Sequence, residues 1–113
     1  MPHLKKGMAL ASIAAVLLLS ACGAAVPKEP GLLDSQAADY PEAVALYKQS
    51  CLSCHAVNLQ GRVGPGLQQA GSKFTESELV ALISDGKGGM PAFKKSMTQE
   101  EIETLAQWLA QQK

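Results

Sequence analysis

Five residues, Cys51-Leu52-Ser53-Cys54-His55, limit this chain more than any other stretch of it. Cysteines three apart share one side of a helical turn, and the histidine is the next residue along. Such spacing serves dithiol redox chemistry, part of a zinc site, or covalent attachment of haem. A dithiol redox pair normally sits in a βαβ setting, and no alternating strand pattern is present here. Zinc wants four ligands, yet with His3 lost in a cleaved N-terminal segment, Cys51, Cys54 and His55 stand alone. Haem attachment remains: each thiol forms a thioether to a vinyl group, and the His55 imidazole binds iron.

The size of the folded part makes the same demand. Residues 39–113 form one small domain, and domains this short commonly need a disulfide, a metal or a similar staple. With Cys51 and Cys54 committed, no disulfide is available to it. A haem brings a large apolar plate and covalent links, so the shortage of core and the cofactor motif agree.

Apolar residues recur at helical spacing between glycine-rich loops, and the expected class is all-α, helices wrapped around one haem. Pro41 opens the first helix, with Ala43, Val44, Tyr47 and Cys51 on one face. Thr75-Glu76-Ser77-Glu78 is a capping-box pattern that starts a second helix, burying Leu79, Leu82 and Ile83 and stopping at Gly86. Thr98-Gln99-Glu100-Glu101 repeats the pattern and leads into Ile102, Leu105, Ala106 and Leu109 at i, i+3, i+4 and i+7.

The N-terminus is of another kind. Met1 to Lys6 carries two lysines, Met8 to Leu19 is small or apolar throughout, and Ser20-Ala21-Cys22 follows, the order of a secretory signal. Leu19-Ser20-Ala21-Cys22 resembles a bacterial lipobox, in which Cys22 takes a diacylglyceryl group and becomes the mature N-terminus. The expected division is a signal peptide over 1–21, a lipidated cysteine and flexible tether over 22–38, and the domain over 39–113. An uncleaved membrane span is the competing reading, since Gly7 to Val26 is twenty residues without charge. Both place the domain on the outer face of the cytoplasmic membrane. Three cysteines are then accounted for, one by lipid and two by haem.

Gly23 to Ala38 is rich in alanine, glycine and proline and reads as the tether. Its sixteen residues would have a root-mean-square span of roughly 20 to 25 Å as free chain. Alternatively, Leu32 and Leu33 dock on the domain and make this an ordered arm. Past Lys6 there are eight basic and ten acidic residues, a mildly acidic balance without a basic run. That gives no footprint for nucleic acid.

From Tyr40 onward the chain resembles a class I cytochrome c, and among these the small lipoprotein cytochromes c of Gram-positive bacteria. Val63-Gly64-Pro65-Gly66-Leu67 matches the family segment whose proline carbonyl accepts the Nδ1 proton of the haem histidine. The resemblance thus implies that Pro65 orients His55 and that Leu67 packs on the ring. Gly88-Gly89-Met90-Pro91-Ala92-Phe93 resembles the loop that brings methionine sulfur to iron, which makes Met90 the implied sixth ligand. His55 is the only histidine after His3, so bis-histidine ligation within the mature chain is impossible and methionine or an open site must follow. Met97 precedes the expected cap Thr98 and has a different expected role, as a hydrophobic staple toward Ile102. Tyr47 and Trp108 match the aromatics of the crossing first and last helices, while Ala43 stands where the family often has glycine.

The resemblance implies a monomeric one-electron carrier, not an enzyme, working between a quinol-oxidising complex and a terminal oxidase. A His/Met iron has no vacant position for substrate, and methionine raises its potential relative to bis-histidine. Lys87, Lys94 and Lys95 flank Met90, either as docking charges for an acidic partner or as ordinary solvated surface. Without a firm Met90 ligand the alternative is a haem peroxidase or a sensor of small gases. A third possibility is a haem-bearing anchoring subunit fixed in one complex.

Overall fold

The computed structural model describes Gly23 and residues 29–113. The expected signal segment and Cys22 lie outside the described residues. Among the described residues the architecture is helical, with no strand beyond an isolated bridge between Lys87 and Met90. No helix among them is long and apolar enough to cross a membrane.

The body begins earlier than residue 39. A short helix, α1 (Leu32–Gln36), precedes it, and Leu33 is only 1% exposed. The docked reading of Leu32 and Leu33 therefore describes residues 31–38, and a free tether does not. Pro41 then opens α2 (Pro41–Ser50), its fixed φ suiting the first helical position and its missing N–H leaving nothing unpaired. One face of α2 buries Ala43, Val44 and Tyr47, and Cys51 caps its end rather than extending it.

A single turn, α3 (Leu52–His55), follows at once, and another, α4 (Ala70–Lys73), comes after the loop. Both are too short to carry a periodic pattern of their own. Gly71 on α4 donates its N–H to the Gln112 carbonyl at 2.8 Å, and a β-carbon there would overlap the Ala110 carbonyl oxygen. Only glycine lets these two backbones touch.

The two capped helices form where the sequence predicts. Thr75 Oγ1 accepts from the Glu78 N–H at 3.3 Å, and the Glu78 carboxylate accepts from the Thr75 N–H at 2.7 Å, starting α5 (Glu76–Asp85). The bond from the Thr75 N–H, and after it one from the Thr75 hydroxyl to the same carboxylate at 3.0 Å, hold the Glu78 carboxyl below its ordinary range. Gly86 ends the helix at φ +69°, a conformation that costs other residues free energy. Leu79 and Ile83 are buried, whereas Leu82, expected beside them, is only half-buried. After one 3-10 turn at Phe93–Lys95, Thr98 and Glu101 repeat the capping box and start α6 (Gln99–Ala110).

The core lies where α6 packs on α2 and α5. From α6 it takes Ile102, Leu105, Ala106, Trp108 and Leu109, and from α2 it takes Ala43, Val44 and Tyr47. The Ala43 methyl, at a position where the resemblance suggests glycine, is packed at 2% exposure. Each buried large apolar side chain contributes about 1.5 to 3 kcal/mol of transfer free energy. Met97 packs against this core while half-buried.

Candidate haem site

The site grows from the end of α2. Cys51 donates its N–H to the Tyr47 carbonyl at 2.9 Å, and its own carbonyl accepts from Cys54 at 3.2 Å and from His55 at 2.9 Å. One turn therefore carries both sulfurs and the imidazole. Both cysteines are free thiols and half-buried. Burial first, and then the neighbouring Cys54, pushes the Cys51 thiol up to about 11. An activated C-x-x-C nucleophile has the opposite property, a lowered thiol pKa.

His55 is 8% exposed, and its Nδ1 lies 2.8 Å from the Pro65 carbonyl oxygen. A carbonyl can only accept, so the proton sits on Nδ1 and the lone pair on Nε2. Nε2 makes no hydrogen bond among the described residues. The bond orients the ring and determines which nitrogen is left for a metal.

The loop between His55 and Leu67 is built to hold this arrangement. Gly64 donates its N–H to the Cys54 carbonyl at 2.8 Å, and Gly61 donates to the His55 carbonyl at 2.9 Å. A β-carbon on Gly64 would stand 2.7 Å from His55 Cε1 and 3.1 Å from both ring nitrogens. Ring and glycine occupy one space. The Arg62 guanidinium donates to the Ser53 carbonyl, through Nε at 3.2 Å and also through Nη2. Ala56 and Leu59 take positive φ, +69° and +56°, each costing about 1 to 2 kcal/mol for a residue with a β-carbon. Two contacts hold them there: the Tyr47 hydroxyl donates to the Ala56 carbonyl at 2.6 Å, and Leu59 is wholly buried.

Leu67 and Met90 are both half-buried and pack against the core, as do Leu52, Val80, Phe93 and Met97. Met90 is placed by its N–H, which donates to the Lys87 carbonyl at 3.0 Å, and by Gly86 and Gly88 at φ +69° and +59°. A β-carbon on Gly86 would collide with the Met90 carbonyl. Of the three lysines near Met90, Lys94 is already paired with Asp85 at 2.7 Å. Lys87 and Lys95 have no ion pair among the described residues.

A haem c fits these residues, on the evidence of the two free thiols on one turn, the imidazole presented with Nε2 available, and the glycine cradle at Gly64. The class this defines is that of the small all-α c-type cytochromes. The structure brings Cys51, Cys54, His55 and Pro65 together, whereas Leu67 and Met90, named in the sequence only through resemblance, are shown as half-buried residues packed against the core. Sequence reasoning missed Arg62, whose bond to Ser53 leaves no local signal, and the steric need for Gly64.

Comparison with known proteins agrees. The model of the family described as cytochrome c oxidase, cbb3-type, subunit III matches residues 38–109. Cytochrome c-551 of Bacillus subtilis is 34% identical over 111 residues, spanning 96% of this chain and 97% of that protein. Cytochrome c-550 of the same species is 30% identical over 81 residues, 68% of this chain and 66% of its own length. A menaquinol:cytochrome c reductase cytochrome c subunit, also from Bacillus subtilis, is 38% identical over 65 residues, 57% of this chain and 25% of that protein. The chain belongs to the cytochrome c family, as a small class I member with one covalently attached haem c and the role of an electron carrier.

Proposed function

We propose that this cytochrome is a lipid-tethered, monomeric one-electron carrier on the outer face of the cytoplasmic membrane, passing electrons from a quinol-oxidising complex to a terminal oxidase. The single observation that carries the reading is the His55 Nδ1 to Pro65 bond of 2.8 Å on the turn that bears both thiols. It supports a tautomer with the proton on Nδ1, which would leave Nε2 for metal binding.

In this reading Cys51 and Cys54 would hold the haem by thioethers, His55 and Met90 would bind its iron, and Leu67 would pack against it. The haem supplies a single iron that changes between ferrous and ferric states. With His55 and Met90 both bound to it, the iron would have no open position for a substrate, so the function proposed is carriage and not catalysis. Pro65 and Gly64 keep the imidazole from rotating, and α2 carries the turn that bears it. Likeness to menaquinol:cytochrome c reductase cytochrome c subunits supports a donor that oxidises quinol.

Lipid on Cys22 holds the carrier near such complexes at raised effective concentration, which makes tight docking unnecessary. Lys87 and Lys95 supply the charge for a transient encounter with an acidic partner, and Lys94 contributes less because Asp85 neutralises it.

Optical spectra of both redox states test the ligand set. Low-spin haem that ignores carbon monoxide and shows the weak long-wavelength sulfur-to-iron band in the ferric state is expected. High-spin or carbon-monoxide-binding haem would point to a peroxidase or a gas sensor instead. Intact Met1 on the native protein would replace the lipid anchor by an uncleaved span.

A further inference from the structure

The N-terminal arm touches the body at more points than a mere leader needs. Leu33 is 1% exposed within the core cluster, although it belongs to a helix of only five residues. So short a helix is not stable alone, and it persists because tertiary contacts hold it. The Gln36 side chain supplies them. Its Oε1 accepts from the indole N–H of Trp108 at 2.6 Å and from Gln112 Nε2 at 3.1 Å, and its Nε2 donates to Gln112 Oε1 at 3.3 Å. Gln112 is itself buried and donates further to the Trp108 carbonyl at 3.1 Å. At the other end of the arm the Leu32 N–H donates to Asn58 Oδ1 at 3.2 Å. Asn58 belongs to the loop that follows His55, and its backbone is bonded there by Gln60 at 2.8 Å and Gln68 at 2.9 Å.

We infer that residues 31–38 are a clasp that shortens the membrane leash and sets which end of the cytochrome faces the bilayer. The inference rests on the proposed lipid at Cys22. With the clasp closed, nine residue steps join Cys22 to Gly31, at most about 30 Å of chain. Were the arm free back to Asp39, seventeen steps would give about 60 Å. Effective concentration falls with roughly the −3/2 power of leash length, so opening the clasp dilutes the carrier over its partners about threefold. The chain enters the body beside Asn58, which makes the end carrying the 56–66 loop the end held toward the membrane. Among the described residues no hydrogen bond joins the arm to the Met90 loop, which lies between α5 and α6 in the chain.

Amide hydrogen exchange on the full-length holoprotein tests the clasp without any substitution. The amides of Leu32, Ser35 and Tyr40, bonded to Asn58, Gly31 and Gln36, should exchange at least about a hundredfold more slowly than free chain. Exchange at free-chain rates would overturn the clasp. The leash is tested by neutron reflectometry of the lipidated holoprotein on a supported phosphatidylglycerol and phosphatidylcholine bilayer. Wild type should form a thin layer close to the lipid, and the Leu33→Ser, Gln36→Ala double variant, with its haem spectrum unchanged, a layer whose outer edge lies further out, by up to about 30 Å at full extension. Equal layers would overturn the leash. If neither protein binds the bilayer, the lipid reading fails and takes the leash with it, while the exchange rates still judge the clasp.

Discussion

Tyr47 and Trp108 meet edge to face, their ring centroids 5.4 Å apart and their planes at 69°. Neither ring is free to leave. The Tyr47 hydroxyl is bonded to Ala56 and the Trp108 indole to Gln36, so the helix crossing is joined to the loop beyond the haem motif on one side and to the N-terminal arm on the other.

Removing each half of that pair should therefore give different losses. Tyr47→Phe keeps the ring contact and leaves the Ala56 carbonyl without its donor, an expected cost of about 1 to 2 kcal/mol. Trp108→Ala removes a fully buried ring and orphans Gln36, an expected cost of about 3 to 5 kcal/mol. Urea unfolding of the holoprotein, followed by haem absorbance, measures both. Equal losses would show that the hydroxyl bond matters as much as the ring.

Alkaline pH addresses the same tyrosine. Burial, and behind it Cys51, pushes the Tyr47 phenol up to about 12. Thioether formation removes the ionisable Cys51 thiol, leaving burial as the cause in the holoprotein. A proton held more tightly in the folded chain adds stability that is fully present below the unfolded pKa near 10 and is lost as pH rises toward about 12. Holoprotein stability should fall by on the order of 2 kcal/mol across that window, and Tyr47→Phe should lack this component. Identical pH profiles for the two proteins would exclude Tyr47 as the source.

Gly64→Ala places a methyl where the imidazole stands. The ring must tilt or the loop must lift, weakening the bond from His55 to Pro65. Redox titration should show a displaced potential, and the ferric proton resonance spectrum should show shifted haem methyl signals. Gly31→Ala serves as the comparison, since its nearest neighbours would lie at an ordinary 3.6 Å, and neither property should change. An unaltered Gly64→Ala spectrum would mean the loop yields without disturbing the ligand.

The two candidate sulfurs separate cleanly by substitution. Met90→Ala should abolish the sulfur-to-iron band, lower the potential and admit carbon monoxide. Met97→Ala should leave the spectrum intact and cost about 1 to 2 kcal/mol, less than a fully buried methionine because Met97 is half-buried. The reverse pattern would assign the ligand to Met97 while leaving the haem attachment untouched.

What was legible in the sequence is what local chemistry dictates. The capping boxes at Thr75 and Thr98 name the starts of α5 and α6, Pro41 names the start of α2, and Gly86 names the end of α5. Each signal is complete within a few neighbouring residues. The helices α1 and α4 escaped because one turn has no period to read, and both persist through partners far along the chain, Gln36 through Trp108 and Gly71 through Gln112. Leu82 has the right spacing for burial but faces the margin of the core, which spacing cannot tell. At the site, the spacing of Cys51, Cys54 and His55 announces itself, whereas the bond from His55 to the Pro65 carbonyl depends on how a loop folds back, and without the resemblance Gly64-Pro65-Gly66 reads as an ordinary turn.

The contact of Gly71 with Ala110 bears on how tolerance to mutation would be read in this protein. A saturation screen for working cytochrome would find position 71 as unforgiving as the cysteines, because any side chain pries the C-terminal helix from α4. The reason would be different in kind. Failure at Cys51 or Cys54 is a failure to bind haem, whereas failure at Gly71 is a failure to close the body, and cells would clear the chain before its chemistry was ever in question. Intolerance alone therefore does not mark a functional residue here, and haem stoichiometry in the surviving protein is what divides the two groups.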